Sequence, residues 1–463
     1  MNRLLKLIQN EMIKVFTKVS TWVMLGIIAL FVFGLAFLVK SNGRYEDYNM
    51  TYDRNYIESE IEYLNSAKPQ GYEAEAARME YMLDSGAVWT ENTWQYDAMT
   101  DAFDQWRAPV IYGGEELDEE QKNEYEKSFE ELMAPVLSGD WASYAQKKLE
   151  MIESSEDSEA MKEAEAFYYS YMLKENMTPE TMPKWQQQAA LNLSDAMKVK
   201  AELKDMEDAG SYVSEETKAQ AESDAALYQY ILDNKIENYL DSSGNTGSYF
   251  FASLLNGSSV VTIASVMMIV LAGGCVANEF SSGTIKFLLI NPVKRSKIII
   301  SKYLMLLILS FAVIAAVFAF SILSNAIFFG LDLNVPYLTA AGGTVHAGSS
   351  LLYVFVQYLL NGVNLLAMMT MAFMISSLMR NAAVAIGIGV AALMGGSMLV
   401  VMLAQLGCDW GRYIIFANMN LTQIAEGSGI FPNQTLTFSL ITLAVYMAVF
   451  LMTAFDGFTR REV

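Results

Sequence analysis

Between two long apolar segments lies a charged stretch, Asn278 to Lys297 (NEFSSGTIKFLLINPVKRSK), whose residue types suit docking rather than catalysis. It has room for one short helix before Pro292 stops it. Ile285, Leu288 and Leu289 fall at helical spacing, so one face can press into a groove on a soluble partner. Lys294, Arg295 and Lys297 close the stretch and mark this side of a membrane as cytoplasmic. The plainer account is an ordinary cytoplasmic loop, with Gly283 and Thr284 as common helix-start chemistry.

A second set of polar groups is uncharged. Gln357, Asn361 and Asn364 are spaced by four and three, which puts three amides on one face of an apolar helix. They either line a path for a polar solute or hydrogen-bond between helices. Both readings are open at this level.

Several chemistries are excluded by pattern. The sequence has no Gly-x-x-x-x-Gly-Lys-Ser/Thr loop to cradle phosphates, no Cys/His set with zinc spacing and no Gly-x-Ser-x-Gly elbow. No catalytic residue, metal site or cofactor is expected on this chain, and His346, the only histidine, receives no role. Nothing suggests binding to nucleic acid. Cys275 and Cys408 are expected on opposite sides of the membrane and so unpaired.

These residues need elements to hold them. Six apolar runs are long enough to cross a bilayer as helices: Thr21–Val39, Val260–Ala277, Tyr303–Phe329, Leu351–Ser376, Ala383–Leu406 and Leu436–Phe455. They contain almost no ionisable residue, apart from Asp332 and Asp456 near their ends, which disfavours transport by a carboxylate relay. In the fifth run, Gly387, Ala391 and Gly395 form a small-residue stripe for close helix packing.

Charge divides the chain. Residues 41–250 hold 45 acids and 17 bases, a net of −28, while the remainder has a net of +7. Twelve of the fourteen bases outside 41–250 fall on one side if the six runs alternate; Lys40 and Arg412 fall on the other. Both termini are therefore expected in the cytoplasm and residues 41–250 outside, with the first span retained rather than cleaved. The expected fold is an all-α membrane protein of six spans with a large, mainly helical outer domain. Met1–Ser20 reads as an amphipathic helix, with Leu4, Leu5, Ile8, Met12, Val15 and Phe16 on one face, resting in the headgroup region or serving as a plain anchor.

In the outer domain, Tyr45, Tyr48, Tyr52, Tyr56 and Tyr63 read as a helical stripe continuing the first span, broken at Lys68–Gly71. Helices are expected over Asp118–Leu137, Glu159–Glu175, Ser194–Asp208 and Ser214–Leu240. The acidic surface is either a solvated face or an attractor of cations. Gly330–Ser350 reads as a loop, and Arg412–Ala425 as a short helix dipping at the outer surface.

The order Glu279, Gly283, Thr284, Leu288, Leu289, Pro292, Arg295 and Lys302, set among six spans and a leading amphipathic helix, resembles the coupling segment of ABC-2-type permeases. The resemblance covers Met1–Ser20 and the spans, and the outer insertion departs from the minimal family pattern. It implies the membrane subunit of an ATP-binding-cassette exporter in the bacterial plasma membrane. It implies a cytosolic ATPase partner that binds ATP and Mg, and a second permease subunit, identical or a sister chain. Glu279, Gly283, Thr284, Leu288, Pro292 and Arg295 would then couple to the ATPase, and Gln357, Asn361 and Asn364 would line the path for a peptide, drug, lipid or ion. The rival class is a ligand-sensing or ATPase-driven scaffold acting on the cell envelope through its outer domain.

Overall fold

The computed structural model describes residues 2–42, 51–112, 117–283, 294–379 and 381–460. Six helices are long and apolar enough to cross a membrane: Val19–Ser41, Tyr249–Ser281, Arg295–Phe329, Ser350–Leu378, Ala382–Gln405 and Leu436–Thr459. Five of the six expected runs lie within them, and the expected Ala383–Leu406 ends one residue past its helix. The chain divides into two compact units. The first comprises Met1–Asn42, Tyr239–Tyr337 and Gly348–Val463 and holds every span; the second comprises Gly43–Asn238 with Leu338–Ala347.

In the membrane unit the second and fourth spans form the centre, with 67% and 61% of their most apolar windows buried, against 17% for the first and sixth. Lipid tails offer helices no hydrophobic reason to associate, so close approach through small residues carries much of the packing. A Cβ on Gly273 would stand 2.8 Å from the Ile386 side chain and 3.2 Å from its backbone nitrogen, so the second and fifth spans meet where a side chain is missing. Gly389 likewise receives Ile269. The expected stripe of Gly387, Ala391 and Gly395 is not the packed one: all three are exposed, and nothing stands within 4 Å of a Cβ on either glycine. Ala385, Gly389, Gly396 and Val400, which share a different face of that helix, are the buried positions.

The second span is broken once, between Tyr249–Gly257 and Val260–Ser281. Gly257 there faces the Tyr358 hydroxyl and Ser321. Between the third and fourth spans the expected loop is instead a hairpin of Pro336–Ala341 and Thr344–Ser349. Its turn residues, Gly342 and Gly343, have φ of +55° and +75°, the sign that a two-residue hairpin turn of matching twist requires. Past the fifth span, two 3₁₀ turns (Asp409–Tyr413 and Ile415–Asn418) and the five-residue helix Leu421–Ala425 replace the single expected helix.

The second unit is mainly helical. Asp118 makes a capping box with Gln121 at the head of Glu119–Ser138, and Ser158 and Ser214 cap Glu159–Lys174 and Glu215–Asp233. Lys184–Asp208 begins ten residues before the expected Ser194, and Leu240, which belongs to the first unit, lies in a short strand rather than a helix. The tyrosine stripe is corrected as well. Tyr45 and Tyr48 lie outside the described residues, and Tyr52 sits in a strand paired with Trp89. Asp53 then caps a new helix, Arg54–Ala67, whose buried positions are Ile57 and Leu64, while Tyr56 and Tyr63 face outward.

Candidate functional site

The N-terminal helix, Asn2–Phe16, has its apolar positions on one side, and Val15 is buried with Ile8, Met12 and Phe16 packed beside the membrane core. Its last carbonyls have no partners within the helix, and the start of the first span supplies them. Thr21 Oγ1 donates to the Val15 carbonyl at 2.8 Å and Trp22 Nε1 to that of Phe16 at 2.9 Å. One acid, Glu11, lies on this buried face.

Glu11 joins a cluster of charges that includes residues from two spans. Lys302 Nζ donates to Glu11 Oε2 at 2.9 Å and to Glu279 Oε1 at 2.7 Å. Lys14 Nζ donates to Glu11 Oε1 at 2.7 Å and reaches Glu279 Oε1 at 3.4 Å. The four groups close into a neutral ring joining the N-terminal helix, the end of the second span and the first turns of the third. Lys302 is 1% exposed, and the Lys14 side chain, 53% exposed, forms the outer edge of the ring. Burial alone would raise the Glu11 carboxyl, but the Lys302 charge and the hydrogen bonds from Lys14 and Lys302 outweigh it and hold it below its ordinary value. Beside the ring opens a cavity of about 860 Å³, lined by Glu11, Lys14, Asn278 and Glu279 among others.

Such a ring does no chemistry on a solute. It fixes three elements to one another, because a buried charge that loses its counter-charge costs about 3–5 kcal/mol. Just past Glu279 the second span ends: Ser282 N–H donates to the Asn278 carbonyl at 3.0 Å and Gly283 follows with φ of +70°. Gly283 is needed for that left-handed conformation and not for space, since nothing lies near its notional Cβ. Arg295 opens the third span. Thr284, Leu288 and Pro292 lie outside the described residues.

The amide face of the fourth span runs from the middle of the bundle toward Glu426. Gln357 is buried, and its Nε2 donates to Glu426 Oε1 at 3.4 Å, as does the Tyr353 hydroxyl at 3.3 Å. Gln357 Oε1 and Asn364 Oδ1 are buried without a hydrogen-bond partner among the described residues, and Asn361 is half-buried.

Residues 224–463 match the family described as protein of unknown function DUF2705. The chain belongs to this family. Two curated relatives come from Bacillus subtilis strain 168. The uncharacterized protein YhcI is 34% identical over 234 residues, which is 50% of this chain and 74% of that protein. The uncharacterized membrane protein YdbK is 32% identical over 239 residues, 51% of this chain and 93% of that protein. No solved structure matches. The spans and the relatives together make this DUF2705 member a multi-pass membrane protein. Glu279 and Lys302 fall inside the DUF2705 match, and Glu11 and Lys14 precede it.

Proposed function

We propose that this chain is the permease subunit of an ABC-2-type exporter, driven by ATP that a separate cytosolic subunit hydrolyses. The ion-pair ring carries the reading. It clamps Glu279, at the entry to the 284–293 segment, to Lys302, just beyond its exit, and clamps both to the N-terminal helix. A force applied to that segment then reaches the second and third spans and the N-terminal helix together. Glu279, Gly283, Thr284, Leu288, Pro292 and Arg295 belong to this coupling region, with both termini and the segment in the cytoplasm and residues 41–250 outside. Gln357, Asn361 and Asn364 line the path, and the unmet acceptors on Gln357 and Asn364 support a solute with hydrogen-bond donors. ATP and Mg are held by the partner, and a second permease subunit completes the path.

Co-purification of the tagged chain from its native membrane, followed by mass spectrometry, tests this. A stoichiometric P-loop ATPase is expected, lost in Glu279→Ala with Arg295→Ala. Leu288→Glu leaves the ring intact, and should also release the ATPase while melting like wild type. Absence of any ATPase overturns the reading and turns attention to a scaffold or sensor role for the outer unit.

A further inference from the structure

The cavity of about 860 Å³ beside the ion-pair ring is a slot with unlike ends. One wall is a single face of the second span, from Leu271 through Gly274 to Asn278. Seven residues of helix put Leu271 about 10 Å from Asn278 along the axis. Gly274, midway, adds no side chain to that wall, and a Cβ there would meet the Asn278 amide nitrogen at 2.6 Å. The first and fifth spans contribute Met24 and Ile386, and Ile386 lies level with Gly273. That end is apolar. At the Asn278 end stand Lys14, which reaches the neighbouring Glu279, and beyond it Lys18 and Ser20.

The slot also has a definite depth. Trp22 is 59% exposed with its indole N–H bonded to the Phe16 carbonyl, the placement of a tryptophan at a membrane–water boundary. Lys18 and Ser20 come just before it, at headgroup level, while Met24 and Leu271 lie on the hydrocarbon side. An occupant that matches both ends is an amphiphile.

Charge selects which one. In the ring, Glu11 and Glu279 are matched by Lys14 and Lys302. Lys18 is exposed and in no ion pair among the described residues, so the polar end is left with one positive charge. Donors are in surplus there as well. Lys14 directs two of its three N–H groups into the ring, one of them at 3.4 Å, and its side chain is 53% exposed. Ser20 and Asn278 are exposed and make no side-chain hydrogen bond among the described residues. A phosphodiester carries one negative charge and accepts several hydrogen bonds, which is what this end lacks.

We infer that the slot binds one anionic phospholipid. Lys18, Lys14, Ser20 and Asn278 hold its phosphodiester, and an acyl chain lies past Gly274 toward Leu271 and Ile386. Lys14 belongs to both the slot and the ring, so the lipid bears on the same three elements that the ring joins. This inference does not depend on the exporter reading, because any membrane protein with this slot would hold the lipid.

The test is native mass spectrometry of the full chain, delipidated in neutral detergent and titrated with dioctanoyl phosphatidylglycerol. Dioctanoyl phosphatidylcholine has the same tails without net charge, and glycerol 3-phosphate has the phosphate without tails. One saturable phosphatidylglycerol is expected per chain, at least about fivefold tighter than phosphatidylcholine, with no displacement by glycerol 3-phosphate. Lys18→Gln should remove most of that preference and Lys18→Arg should keep it. Lys6→Gln, a change to an exposed base of the same helix that does not line the slot, should leave it unchanged. Gly274→Leu fills the slot and should weaken both lipids, in protein whose circular dichroism matches wild type. Equal binding of the two lipids, equal effects of Lys6→Gln and Lys18→Gln, displacement by glycerol 3-phosphate, or no saturable binding by the folded wild type each overturns the inference.

Discussion

Replacing Lys302 with methionine leaves the Glu11 and Glu279 carboxylates facing each other with only the half-exposed Lys14 between them. The expected loss is about 3–5 kcal/mol, read as a lower midpoint of thermal unfolding in detergent. Adding Glu279→Gln rebalances the charge and should restore most of it; an unchanged midpoint in the single variant would refute the clamp. The pH dependence follows from Glu11. Its folded carboxyl titrates below its unfolded value, so its contribution is complete above the ordinary glutamate range and is lost as pH falls through the lower, folded value. Wild type should therefore lose stability on acidification in that range, and Glu11→Gln should lose less. Part of this ring was legible in the sequence. Glu279 and Lys302 stood out through the resemblance, but Lys302 fell one residue short of the apolar run starting at Tyr303, so its burial did not. The helix begins at Arg295, two turns earlier, and carries Lys302 inside with it. Glu11 left a signal that was not used: it is the only acid before Glu46 and lies on the apolar side of a basic helix.

Among the elements, the spans were the most legible, because some twenty apolar residues in a row admit few structures other than a helix. The faces those helices use were less so. Small residues every four positions occur on more than one face of Ala382–Gln405, and only the shape of the neighbour selects one. Gly273→Val pushes a side chain into the Ile386 backbone and should cost about 1–3 kcal/mol, whereas Gly387→Ala, with open space around it, should stay within about 0.5 kcal/mol of wild type. Equal effects in a thermal unfolding comparison would mean the two spans do not meet at Gly273. The hairpin of residues 336–349 was read as a loop because its period-two pattern is short and weakly apolar, although the paired glycines at its tip carried the turn signal.

At the scale of the whole molecule, the split between an acidic insertion and a basic membrane part was legible from charge alone. Its border was not, because the second unit also takes in Leu338–Ala347 from between the third and fourth spans. Leu338 is fully buried. A protein of residues 43–238 made alone should therefore melt below one in which 338–347 is joined on through a flexible linker, as circular dichroism would report; identical melting would mean the hairpin adds nothing to that unit.

That second unit is written in two separate stretches of the gene, one between the first and second spans and one between the third and fourth. Transplanting it intact onto another membrane chain takes four junctions instead of two. A single crossover between relatives that falls at residues 239–337 brings the large stretch without its hairpin, or the hairpin without the rest. Inheritance of this unit is thereby bound to inheritance of the second and third spans, which lie between its two pieces.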